Sequence, residues 1–133
     1  MTGRFMTATL FDPIQLGAIS AKNRVIMSPL TRGRSTTGHV PMSDLKAEYY
    51  SQRASAGLII AEATGISQEG LGWPSAPGVW NDTQVAAWQP VTEAVHEAGG
   101  RLDHYRYGKA KWIEGRNVAQ VAGKRPKHGQ PWL

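Results

Sequence analysis

The sequence predicts an α/β protein built by β/α repetition. Three observations predict it. Two short apolar runs, Val25-Ile26-Met27 and the LIIAEA stretch at 58–63, have the length and composition of buried strands. A helically periodic stretch lies between them, the crossover that parallel pairing requires. A second helical stretch, 82–98, follows and ends at Gly99-Gly100. The expected order is hairpin, strand, helix, strand, loop, helix, with a third strand after Gly100.

Residues 10–19 read LFDPIQLGAI. Ile14 and Leu16 alternate with Gln15, and Gly17-Ala18 supplies a turn, so a small hairpin is expected before a strand at 24–28. Pro29 marks the end of that strand, because proline cannot donate to a sheet ladder. Beyond it the amides of Leu30 and Thr31 and the Thr31 hydroxyl are open to another partner. In α/β proteins the carboxyl ends of strands are where ligands bind. A core strand followed by a solvated loop would read the same way.

Residues 41–55 predict a helix. Ser43 or Asp44 suits its N-terminus. Leu45, Tyr49, Tyr50 and Ala54 form its apolar stripe, with the tyrosines serving packing, and Gly57 stands where a helix would end. The run at 58–63 is apolar on both faces until Glu62, which suggests a buried strand parallel to the first. A carboxylate in that position must reach a partner or a wet site. Arg53 is one candidate partner, and a catalytic role is the alternative.

The loop at 64–81 is long and rich in glycine and proline, which marks it as functional or disordered; Trp73 and Trp80 argue for order. From 82 to 98, Asp82 suits the N-cap and Val85, Trp88, Val91, Val95 and Ala98 repeat at helical spacing. Pro90 implies either a kink or a short turn before a helix that begins there. His96 falls off the stripe and reads as solvated.

The composition sets outer bounds. The chain has 133 residues, 41% hydrophobic and 19% charged, which fits a folded domain. No apolar run approaches the ~18 residues needed to cross a bilayer, and the first ten residues do not resemble a secretory signal. Neither a membrane partner nor a metal site is expected. The absence of cysteine excludes a disulfide framework and fits a cytoplasmic location. The net charge is +5, yet residues 1–100 hold seven basic and eight acidic side chains. The last 33 residues hold eight basic and two acidic ones, so the basicity belongs to the tail.

The segments FDPIQLG, KNRVIMSPLTR, YYSQRA with AGLIIAEATGIS, the APG–W–N loop and the helix running into HEAGGR occur together in one order and spacing. Over about residues 10–101 this series resembles the opening of the Old Yellow Enzyme family, the flavin-dependent NADH:flavin oxidoreductases and alkene reductases. The resemblance implies a (β/α)8 TIM barrel with FMN at the carboxyl ends of its strands. The chain would supply an incomplete N-terminal portion, the hairpin and the first two β/α units. It further implies cofactor contacts from Pro29, Leu30, Thr31 and Ala63, with the Thr31 hydroxyl donating to a flavin carbonyl. The family passes hydride from NAD(P)H through FMN to a small-molecule activated alkene. Its His/Asn or His/His substrate pair and its tyrosine proton donor match no position here, so no catalytic residue is assigned within this chain.

After Arg101 the motif series breaks. The family's third strand carries a Gln and then a Trp-His pair, whereas this chain reads LDHYRYGKAKWIEGR. Residues 1–101 are therefore expected to be barrel and 102–133 an irregular basic tail. A change of reading frame or a rearrangement near Arg101 would explain the break. Such a fragment would hold FMN weakly or not at all by itself. One alternative is a non-catalytic fragment that pairs with a complementing barrel piece. Another is a nucleic-acid module using Lys109, Lys111, Arg116, Lys124, Arg125 and Lys127 with Tyr105, Tyr107 and Trp112; no binding motif supports it and nucleic acid is not expected as a partner.

Overall fold

The hairpin is formed by β1 (Ile14–Leu16) and β2 (Ile19–Ala21), paired antiparallel with Ile14 opposite Ala21. Gly17 makes the two-residue turn at φ +59°, a conformation that costs glycine little. The computed structural model describes residues 8–107 of the chain.

β3 (Ile26–Met27), α1 (Ser43–Ser51), β4 (Leu58–Gly65), α2 (Asp82–Glu97) and β5 (Leu102–Tyr107) follow in order. The three strands form one parallel sheet in the order β3-β4-β5. Ile26 and Met27 pair with Leu58 and Ile59, and Ile59 pairs on its other side with Leu102. β4 is therefore the central strand, and its burial runs almost unbroken. α1 and α2 pack side by side, and the core joins Tyr50, Ile59, Ala61, Val79, Trp88, Val91, Val95 and Leu102.

Several expectations shift. The first strand is only two residues long and forms an edge of the sheet among the described residues, and its Ile26 is 41% exposed rather than buried. α1 has Met42 at its N-cap with no side-chain bond; Ser43 instead donates to the Ala87 carbonyl of α2 at 2.7 Å. Its inward residues are Lys46 and Tyr50, while Leu45 is exposed. One residue is about a 100° turn around a helix axis, so packing against α2 and β4 decides which side chain points in.

Gly57 lies beyond the helix end and does a different job from termination. Its N–H donates to the Val25 carbonyl at 2.9 Å, and a Cβ there would sit 2.1 Å from the Asn23 carbonyl oxygen. α2 is capped by Asn81, whose side chain accepts from Gln84 N–H, rather than by Asp82. It continues through the exposed Pro90 as one helix. Trp73 in the preceding loop is half exposed, so only Trp80 of that pair is substantially sheltered.

The third strand expected after Gly100 is present as β5, and it carries ordered structure past residue 101. The stretch 102–107 is thus strand, not irregular tail. Leu102 enters the core and the His104 ring meets Trp88 edge-on at 4.5 Å, so a polar-looking strand still offers an apolar plug and a ring to the helix above it. β4 consequently has neighbours on both sides and is no edge. The basic residues assigned to the tail from Lys109 onward lie outside the described residues.

Candidate functional site

β3 and β4 are parallel neighbours, so their carboxyl ends lie on the same side of the sheet. Pro29, Leu30 and Thr31 leave β3 in an exposed segment. Directly after them the Arg32 N–H donates to Glu62 Oε2 at 2.9 Å. Glu62 precedes Ala63, which is buried near the end of β4. The four residues singled out in the sequence thus belong to adjacent strand tips, tied by one backbone-to-carboxylate bond.

Glu62 and its lysine partner are both almost fully buried. Glu62 is 0% and Lys46 2% exposed, and the Lys46 ammonium bonds the other oxygen, Oε1. Burial pulls the Lys46 ammonium below the ordinary lysine range, and the Glu62 contact opposes that shift without cancelling it. The partner is Lys46 and not Arg53, which lies over the Tyr49 ring at 4.1 Å. Lys46 was not legible as that partner, because the stripe drawn through Leu45 turned it outward. One signal was available: Lys46 and Tyr50 share a helix face at i, i+4.

β4 is irregular where it carries this acid. Its pairing with β5 shifts register between Ala61 and Thr64. The Glu62 N–H leaves the ladder and donates to the Tyr50 hydroxyl at 2.9 Å, and the Thr64 hydroxyl donates to the Glu62 carbonyl at 2.9 Å. Bulges of this kind re-aim side chains at strand ends. Burial raises the Tyr50 phenol well above its ordinary range, so Tyr50 stays protonated and its oxygen serves as an acceptor.

The loops after β3 and β4 are locked to each other. His39, at φ +59°, has Nδ1 2.8 Å from the Ala76 carbonyl, and the Gly78 N–H donates to the His39 carbonyl at 2.8 Å. Buried Gln84 donates to the Gly38 carbonyl and accepts from Trp80 N–H, both at 2.9 Å. Trp88 Nε1 donates to the Gly78 carbonyl at 3.1 Å. The long loop expected to be functional or disordered is therefore ordered through 65–81 by polar bonds to both neighbours.

At the strand tips three donors stand open. Among the described residues no hydrogen bond engages the Leu30 or Thr31 amide or the Thr31 hydroxyl. Open donors on an exposed loop, beside a small buried alanine, suit a flat ring with a carbonyl edge. This strand tip can therefore receive a ligand that carries acceptor atoms.

Three comparisons bear on this arrangement. Residues 9–114 match the model of the NADH:flavin oxidoreductase / NADH oxidase family, a span that passes the boundary at 101 read from the motifs. The NADP-dependent oxidoreductase lnbE of Aspergillus flavus is 51% identical over 99 residues, covering 73% of this chain and 26% of that protein. The chanoclavine-I aldehyde reductase fgaOx3 of Penicillium roqueforti is 48% identical over 95 residues, covering 70% and 26%. Among solved structures, the old yellow enzyme homologue from Zymomonas mobilis aligns at 57% identity and a TM-score of 0.73, covering 90% of this chain and 32% of that one. Morphinone reductase in complex with tetrahydroNAD aligns at 51% identity and 0.73, covering 77% and 28%. The chain spans about a quarter of the length of these curated relatives. Among the described residues, no helix is long and apolar enough to cross a membrane.

Proposed function

Because the chain belongs to the NADH:flavin oxidoreductase / NADH oxidase family, we propose that it supplies the first strand tips of an FMN site in an ene-reductase-type enzyme. In such an enzyme NAD(P)H is the reductant and a small-molecule activated alkene the acceptor, and the bound flavin supplies hydride transfer between them. Pro29 and Leu30 would offer apolar surface to the ring, and the Thr31 hydroxyl would donate to a ring carbonyl that gains negative charge on reduction. A donor there favours the reduced state. Ala63 lets the ring approach β4 closely, because a larger side chain would occupy that space.

The observation that carries this reading is the Arg32 N–H to Glu62 bond, which holds the two proposed contact segments at neighbouring tips. The barrel segment on this reading runs at least through β5, and the basic stretch beyond it is a separate segment. A change of reading frame, which on this reading lies beyond β5 rather than at Arg101, is tested by retranslating the coding DNA in its other two frames. An apolar strand followed by a Trp-His pair would support it, and neither appearing would remove a simple shift.

The described strands form part of a barrel, and both β3 and β5 keep an open edge among the described residues. We therefore expect the chain alone to hold FMN weakly or not at all, to be inactive by itself, and to need a complementing barrel piece. Replacing the matching segment of the Zymomonas mobilis relative with residues 8–107 supplies that piece. The expected chimera is yellow, with about one flavin per chain. A folded chimera without flavin overturns the reading, stoichiometric flavin on the chain alone overturns its weak binding, and NAD(P)H-dependent turnover by the chain alone overturns its inactivity.

A further inference from the structure

A buried ion pair is a weak source of stability, because the cost of desolvating two charges roughly cancels their attraction. Lys46 and Glu62 nevertheless stand almost fully buried between α1 and β4, where two apolar side chains would pack at no such cost. One carboxylate oxygen faces Lys46. The other accepts a backbone N–H from a different element, the loop after β3, thirty residues earlier in the chain. The bulge in β4 and the Tyr50 hydroxyl hold the backbone of Glu62 out of the regular ladder. Three elements therefore meet at one residue, and one of them is the exposed segment that contains Pro29, Leu30 and Thr31.

We propose that Glu62 is a positioning residue: it fixes the strand-tip loop by accepting the Arg32 N–H, and Lys46 neutralises it so that this acceptor can stay dry. This inference rests on the flavin reading for its purpose, since the loop so fixed carries the proposed donor, Thr31. Its geometry does not depend on flavin. An exposed loop with open donors would otherwise sample many conformations, and a cofactor would have to order it on binding. The Glu62 acceptor removes that cost beforehand. Arg32 contributes through its backbone; its guanidinium lies over the Tyr49 ring at 4.6 Å, which further limits the loop.

The test compares two double variants of the full chain, Lys46→Met/Glu62→Gln and Lys46→Met/Glu62→Ala. Both lack the buried charges, so neither leaves an ion unpaired. They differ in whether an acceptor remains for Arg32. Amide hydrogen exchange is read residue by residue by NMR on labelled protein. The Arg32 amide is expected to be protected in the wild type and in the Gln variant, and to exchange at least about tenfold faster in the Ala variant, with the Leu30 and Thr31 resonances displaced. Amides of β4 and α2 should stay protected in all three. Rescue by glutamine separates positioning from a general packing role. Equal Arg32 exchange in the Gln and Ala variants overturns the proposal, as does an unprotected Arg32 amide in the wild type. Exchange is measured without flavin, so failure here leaves the family reading standing. Failure of the flavin chimera would likewise leave this result standing.

Discussion

The Tyr50 hydroxyl accepts the Glu62 N–H at 2.9 Å, so a side chain of α1 completes the backbone pairing of β4 at its bulge. That contact ties helix position to strand irregularity, and the irregularity sets where Glu62 points. The consequences can be measured.

Tyr50→Phe removes the acceptor and leaves a buried N–H without a partner, at a cost of about 1–3 kcal/mol at neutral pH. The pH dependence has a definite sign. The folded phenol titrates above its unfolded value of 10.0, so the folded chain holds the extra proton above pH 10 and stability falls as pH rises there. Lys46 acts in the opposite direction, since its folded value lies below 10.5 and the unfolded chain holds the extra proton between the two. The difference between wild type and Tyr50→Phe isolates the tyrosine. Urea midpoints from pH 7 to 11 should converge as pH climbs past 10; a gap that stays constant would count against this assignment.

Lys46→Met alone leaves the Glu62 carboxylate buried with one backbone donor. Breaking a buried pair on one side costs about 3–5 kcal/mol, whereas Lys46→Met/Glu62→Gln should recover most of that loss. Chemical denaturation of the two variants checks the order, and equal stabilities would contradict the pairing as described.

Gly57→Ala should destabilise by about 3 kcal/mol or more. The added Cβ would meet the Asn23 carbonyl, which is backbone and cannot swing aside. A thermal midpoint within a degree of wild type would show that the hairpin end moves freely.

Pro90→Ala should stabilise the chain. Pro90 is exposed inside α2, so alanine restores a helical N–H and gives up no packing. The intrinsic preference for alanine is about 3 kcal/mol, partly offset by the greater freedom of the unfolded chain. A rise in denaturation midpoint is expected, and a fall would show that the proline sets a bend the fold needs.

In the flavin chimera, Thr31→Ala should weaken FMN retention by roughly five- to tenfold, the worth of one hydrogen bond of about 1 kcal/mol. It should also lower the flavin reduction potential, because a donor to the reduced ring is lost. Fluorescence titration and a reductive titration read these two effects separately.

The hairpin, the parallel pairing of the two apolar runs and the stripe of α2 were legible because local periodicity and turn chemistry dictate them. Ile14 and Leu16 alternate around Gln15, and Trp88, Val91 and Val95 recur at helical spacing whatever lies around them. The cap of α2 was misplaced by one residue, Asp82 for Asn81, because both side chains can accept an N-terminal amide and only the backbone angles choose. β5 was harder to see. Its Asp103 and His104 look solvated in isolation, and the ring of Trp88 is what makes His104 a packing residue.

By itself the sequence determined the order of elements, the crossover between parallel strands and the family to which the motifs point, since each depends on residues near one another in the chain. Tertiary structure alone decided that Lys46 turns inward to meet Glu62, that Gly57 must yield to the Asn23 carbonyl, and that Arg32 is tied to the tip of β4. Those pairings join residues sixteen to thirty-four positions apart. A helix can rotate by one residue at little local cost, so only the packing of α1 against β4 and α2 selects which partner is reached.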